Sequence, residues 1–220
     1  VAYESLMLGL FSIYLGQENQ VCAAKGIQKH NEVQVGFSRD GFHWHRPDRE
    51  AFIGVDHSEK AWNWGNVQSA GGCCLVVGDT LHFYVSGRHG VPGTTEPGVC
   101  STGLATLRRD GFVSMSDGDN SGDITRIEPP LPRGTLITRP VTFSGRFLFV
   151  NARISGELRV EVLDREGRTI APFSADRCVA ISGDGARMGI SWQGVPELSA
   201  VAGRPAGFFN DTATTEIYTF

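Results

Sequence analysis

Lysine is nearly missing from this chain. Only Lys25, Lys29 and Lys60 carry it in 220 residues, and every later strong base is arginine. Charge is sparse throughout: 20% of residues, with a net of −4. That balance argues against a nucleic acid or an anionic membrane as partner, because both call for a basic face. Long hydrophobic runs are missing as well. No segment approaches the roughly 18–20 apolar residues that a membrane-spanning helix needs. No Cys-x-x-Cys pair occurs among Cys22, Cys73, Cys74, Cys100 and Cys178, which argues against a structural zinc site. Their odd number and irregular spacing suit buried free thiols, with one bridge to Cys100 as the alternative. His-Glu-x-x-His, Walker, dinucleotide-binding and Gly-x-Ser-x-Gly patterns are absent too. Nothing in the sequence therefore calls for a metal or a cofactor.

Glycine is what the chain has in excess, 28 of 220 residues, against a usual frequency of about 7%. Hydrophobic residues make up 40% and aromatics 10%. Such a composition predicts an all-β protein of many short strands joined by tight turns. Chemistry-bearing residues are concentrated early. All six histidines lie between His30 and His89, and three of the four tryptophans are Trp44, Trp62 and Trp64.

A short string recurs. Arg39-Asp40-Gly41-Phe42 returns as Arg109-Asp110-Gly111-Phe112. Each copy follows a strand-like segment, residues 32–37 and 103–107, with another β run upstream at 6–14 and 81–86. The rhythm of strands closed by a D-G turn is that of a propeller blade; two unrelated hairpin turns are the alternative. In the first copy the string extends to Ser38-Arg39-Asp40-Gly41-Phe42-His43-Trp44. Asp40 is placed to accept turn N–H groups, Gly41 to take a positive φ, and Trp44 to pack between blades. This turn is scaffold.

Past residue 134 the pattern changes to strands over 135–143, 146–151, 157–164 and 187–192. In Glu157–Asp164 apolar residues alternate, as in a half-buried strand. Short strands and frequent turns predict a β-sandwich over 135–206. The Gly-, Asp-, Ser- and Pro-rich stretch 121–134 reads as the linker from a first domain over 1–120. The end, 207–220, contains Phe208-Phe209-Asn210-Asp211-Thr212-Ala213-Thr214-Thr215-Glu216-Ile217-Tyr218-Thr219. It resembles the peptide encoded by residual sequencing-adapter DNA, so 207–220 is expected to be a non-native tail. A genuine strand is the alternative.

The extended first string resembles the Asp-containing turn of sialidase-like propellers. The order of propeller, then sandwich, resembles glycoside hydrolase family 32, whose propeller is shared with family 43. The stretches 36–52, 66–88, 103–115, 138–152 and 156–168 look like an uncharacterised bacterial group of such five-bladed proteins. The resemblance covers residues 3–206. It implies a carbohydrate substrate. It also implies that this chain holds about two C-terminal blades. The start at Val1 rather than Met fits a truncation. Earlier blades, with their two aspartates, and any signal peptide would lie upstream, and the fragment is expected to be inactive.

Glycoside hydrolysis usually needs two carboxyl groups flanking the scissile bond. By the resemblance, Glu4, ahead of the strand from Leu6, matches the family's general acid. The family motif is Glu-Cys or Glu-Gly, whereas this chain has Glu4-Ser5. An ordinary solvated glutamate is the alternative. Trp62, Trp64, Asn66 and Gln68 form the densest polar–aromatic stretch. Strand alternation puts Asn66 and Gln68 on one face, where amides match sugar hydroxyls. Either tryptophan would offer a pyranose an apolar face; filling core is the alternative. Arg88-His89-Gly90 reads as a pocket rim or a solvated loop. Two functions stay open: a carbohydrate-active hydrolase, or a non-catalytic glycan-binding or scaffold propeller.

Overall fold

The computed structural model describes residues 1–69, 71–72, 74–116, 134–212 and 215–219. The chain divides into two compact units, Val1–Leu107 and Arg108–Phe220. The division falls ahead of the linker expected over 121–134, most of which lies outside the described residues. Both units are built almost wholly of antiparallel strands, as the composition predicts.

Unit 1 holds β1 (Ala2–Tyr3), β2 (Leu6–Tyr14), β3 (Asn31–Ser38), β4 (Val67–Ser69), β5 (Leu75–Val77), β6 (Thr80–Arg88) and β7 (Cys100–Arg108). Its one helix, α1 (Asn19–Lys25), buries Cys22 and ends at Gly26 in the left-handed region. One sheet runs β1-β2-β3; in the other, β6 is central, with β4, β5 and β7 as partners. β4 and β5 pair with successive stretches of β6, from Val67↔Gly87 to Val77↔Thr80. Strict alternation explains why β6 is a strand. Leu81, Phe83 and Val85 are buried, whereas Tyr84 is 45% exposed. Val33, Val67 and Val85 form a small core, with Leu10, Ile53 and Val55 packed on it.

The two Arg-Asp-Gly-Phe copies follow β3 and β7, but they turn differently. In the first, Asp40 accepts the N–H groups of Phe42 and His43 at 2.9 and 2.8 Å. Gly41 takes φ +79, and Trp44 donates to its carbonyl at 3.1 Å. Trp44 meets Phe11 edge-on at 5.3 Å. The chain then folds back, bridging Phe37 to His45. In the second copy the positive φ falls on Asp110, not glycine. Gly111 is needed there for another reason: a Cβ would meet the Arg108 carbonyl at 2.9 Å.

Unit 2 holds β8 (Val113–Ser116), β9 (Gly134–Ile137), β10 (Leu148–Leu163), β11 (Ile181–Ile190), β12 (Gly207–Thr212) and β13 (Thr215–Thr219). They form a six-stranded sheet around β10. The strands expected over 146–151 and 157–164 are one strand. Register shifts between Val150 and Ala152, and between Ile154 and Leu158, absorb the intervening residues without ending it. The strand expected over 135–143 stops at Ile137, just ahead of Pro140, which lacks a ladder donor. Within the stretch 207–220, expected as a non-native tail, residues 207–212 and 215–219 pair along one edge of β10 as β12 and β13. β9 and β8 pair on their far side. The core is apolar: Leu158, Val160, Val162, Phe173, Ile190, Trp192 and Leu198 are among its members. Trp192 meets Phe173 edge-on at 5.1 Å and donates to the Val160 carbonyl at 2.9 Å.

Candidate functional site

Gly65 and a set of buried amides shape the region where β4 begins. Asn31, at the start of β3, makes a parallel bridge to Asn66. Its N–H donates to the Gly65 carbonyl at 3.0 Å, and its Nδ2 to the Val67 carbonyl at 3.3 Å. From the other side, the Arg88 N–H donates to the Asn66 carbonyl at 3.0 Å. Asn66 is thus held by backbone bonds on two sides and is only 3% exposed.

Gln28 completes the wall. Its Nε2 donates to the Arg88 carbonyl at 3.3 Å and to the Gly90 carbonyl. Its Oε1 accepts the Lys29 N–H at 2.8 Å. Gly65 makes room for it: φ is +68, and a Cβ would sit 2.5 Å from Gln28 Cγ. These groups enclose a cleft of about 290 Å³, with Asn19, Gln28, Lys29, Asn66, Gln68 and Arg88 among its lining residues. Asn66 and Gln68 do share a face, and Gln68 Nε2 donates to Asn66 Oδ1 at 3.3 Å. Asn66 Nδ2 makes no hydrogen bond among the described residues.

The tryptophans stand elsewhere. Trp62 lies flat against the backbones of β6 and β7. A Cβ on Gly87 or Gly103 would come within 2.2 or 2.3 Å of its ring. Trp62 remains 40% exposed. Trp64 is half-buried, its ring 6.2 Å from that of His89, and His89 Nδ1 lies 3.1 Å from the Ala61 carbonyl. Neither indole lines the cleft.

Glu4 is not brought to this cleft. It occupies the exposed two-residue turn between β1 and β2, with φ +49. That turn lies at the Ser38 end of β3, because Met7 pairs with Ser38. Asn66 is at the Asn31 end. Seven residue steps at about 3.3 Å put roughly 23 Å between those ends.

No family model, curated protein or solved structure matches this chain. The chemistry of the cleft therefore rests on its own residues. Its amides donate and accept, and its two cations attract negative charge. No carboxyl group is among its described lining residues. His30 Nε2 lies 3.2 Å from Glu32 Oε1, in a geometry that makes no hydrogen bond. Its ring is 6.0 Å from that of His57. Among the described residues no cluster of three metal-ligating side chains is assembled.

Sequence reasoning reached Asn66, Gln68 and Arg88 but missed Gln28, Lys29 and Asn31. These lie more than 30 residues before Asn66 and join it through a parallel bridge, which leaves no local signature. Cys22 and Cys178 are buried free thiols, Cys74 is half-buried and Cys100 exposed. Cys73 lies outside the described residues.

Proposed function

We propose that this chain is part of a carbohydrate-active protein and that it holds a glycan in the cleft beside β4. The observation that carries this reading is Asn66. It is a nearly buried amide, locked through its backbone, with Nδ2 unused by the described protein groups and Gln68 alongside. Among the described residues the buried side-chain atom without a partner is His30 Nε2, so Asn66 Nδ2 opens to solvent in the cleft. A ligand hydroxyl accepting from Nδ2 would take the place of water there. Paired amides in a fixed orientation are suited to the alternating donors and acceptors of a sugar.

The hydrolase reading draws on the repeated strings and the strand rhythm. It needs two carboxyl groups beside the scissile bond, and Glu4 lies roughly 23 Å from Asn66 by strand rise. Among this chain's described residues, binding is better supported than acid catalysis. Glycan-array binding followed by titration of a captured oligosaccharide tests both readings. Asn66→Ala is expected to weaken binding at least about tenfold, the effect of roughly 1.4 kcal/mol. Glu4→Gln is expected to leave binding unchanged. Binding that survives Asn66→Ala, or an array without a captured glycan, would refute the proposal.

A further inference from the structure

The cleft carries a charge pattern that a site for a neutral sugar does not need. Two of its lining residues are cations, Lys29 and Arg88, and none is an acid. Lysine is rare here, and one of the three lies at this spot. Neither cation forms an ion pair among the described residues. Lys29 Nζ stands 4.8 Å above the centre of the Tyr14 ring. A cation over an aromatic face keeps its charge and its N–H donors. Arg88 is more firmly placed. Its Nη2 donates to the Thr94 carbonyl at 2.6 Å and its Nη1 to Cys100 Sγ at 3.1 Å. Its backbone N–H and carbonyl are tied to Asn66 and Gln28. All these partners are neutral, so the guanidinium is oriented without being neutralised. A guanidinium has five N–H donors, and two of Arg88's are used.

We infer that the ligand of this cleft is an acidic glycan, one whose sugar carries a carboxylate, as a hexuronate does. The inference rests on the glycan reading above and names the class of sugar. Asn66 and Gln68 would meet its hydroxyls. Arg88 would take the carboxylate through its remaining N–H groups, a contact stronger than a neutral hydrogen bond. Lys29 would add charge from the opposite chain segment. The protein as a whole is net negative, so a general attraction for anions is not the source of such binding. The two cations act locally, and the hydroxyl contacts of Asn66 and Gln68 are what separate an acidic sugar from a simple anion.

The decisive experiment compares two probes on the full chain by calorimetric titration. One is a trigalacturonate; the other is its carboxyl-reduced counterpart, galactotriose, which has the same backbone without the charge. The trigalacturonate is expected to bind at least about tenfold more tightly at low salt. Lys29→Gln is expected to erase several-fold of that preference by weakening trigalacturonate more than galactotriose, and raised salt is expected to do the same. Lys29 serves as the main variant because Arg88 also ties the Thr94 segment; Arg88→Lys is the second. Asn66→Ala is expected to weaken both probes. Equal or tighter binding of galactotriose, still weakened by Asn66→Ala, would overturn the acidic-glycan inference and leave the glycan reading standing. Binding of neither probe would overturn the inference for this sugar class; the array decides the broader reading. Inorganic sulfate matching the trigalacturonate affinity would also overturn it, since charge alone would then suffice.

Discussion

The two units bury different things. Among the described residues, the buried polar side chains, Gln28, Asn31, Gln34, Ser38 and Asn66, all lie in unit 1. Among described residues, unit 2 buries apolar side chains around Trp192 and Phe173. Its charges are paired outside: Arg108 and Arg153 with Asp184, Arg146 with Glu197, Arg168 with Asp164. In unit 1, His30 faces Glu32 and His43 pairs with Asp40 instead. An apolar core is non-directional and tolerates many shapes. A core of amides is directional, and each member fixes a neighbour. Unit 2 is organised as an ordinary stable core. Unit 1 gives up apolar volume to hold loops in place around a cleft.

The largest expected effect tests the apolar side of this contrast. Trp192→Ala removes the largest fully buried side chain and leaves the Val160 carbonyl without its donor. It should cost about 3–5 kcal/mol in urea unfolding. A loss under about 1 kcal/mol would mean that unit 2 has no tightly packed core. Next comes the polar side. Asn31→Ala removes the donor to the Val67 carbonyl at the entry of β4 and should cost about 1–3 kcal/mol. The cost should come with weaker ligand binding, since Asn66 loses its support. Asn31→Leu should do no better, whereas an apolar replacement would rescue a site that merely needs filling.

Gly87→Ala should cost about 1–3 kcal/mol by overpacking, because its methyl would collide with Trp62. In a double-mutant cycle, Trp62→Ala should remove most of that penalty. Additive losses would show that the indole does not occupy this slot.

The smallest effect concerns how each unit holds a carboxylate. Asp40 lies far below the usual range, chiefly through the His43 backbone N–H, then the His43 ring and the Phe42 N–H. Asp184 is also lowered, chiefly by its hydrogen bond from Arg108. A carboxyl lowered in the folded state adds stability above its unfolded value of about 3.9. That contribution fades as pH falls through the folded value. Asp40→Asn should therefore be less stable than the parent at pH 7, and the gap should close in acid below about pH 4. Salt should raise the Asp184 midpoint towards its ordinary value and move Asp40 less, because backbone N–H groups are not screened as ion pairs are. Carbon-detected carboxyl titrations by NMR at two salt concentrations check this.

Period-two alternation made the strands readable. Leu81, Phe83 and Val85, like Leu158, Val160 and Val162, announce buried faces without any tertiary information. The Asp40 turn was equally plain, because its bonds are local. Its second copy shows the limit of that reasoning. The same four residues place positive φ one position earlier, so the string alone does not determine the turn. Nor was the position of Glu4 legible. β1 is two residues long, too short to show a period, and its pairing makes Glu4 a hairpin turn. The cleft was half legible: Asn66 and Gln68 follow from alternation along one strand, whereas Lys29 and Gln28 arrive by pairing across the fold.

β10 is flanked on both edges over Ala152–Ile154 and again at Leu158. Its amides there are reached by solvent only when a neighbouring strand leaves. In hydrogen exchange, such amides report the opening of the whole unit rather than local fraying. The neighbours on one edge are β12 and β13. Shorten that edge, and the β10 amides bonded to it should join the fast-exchanging class while those bonded to β11 keep their protection.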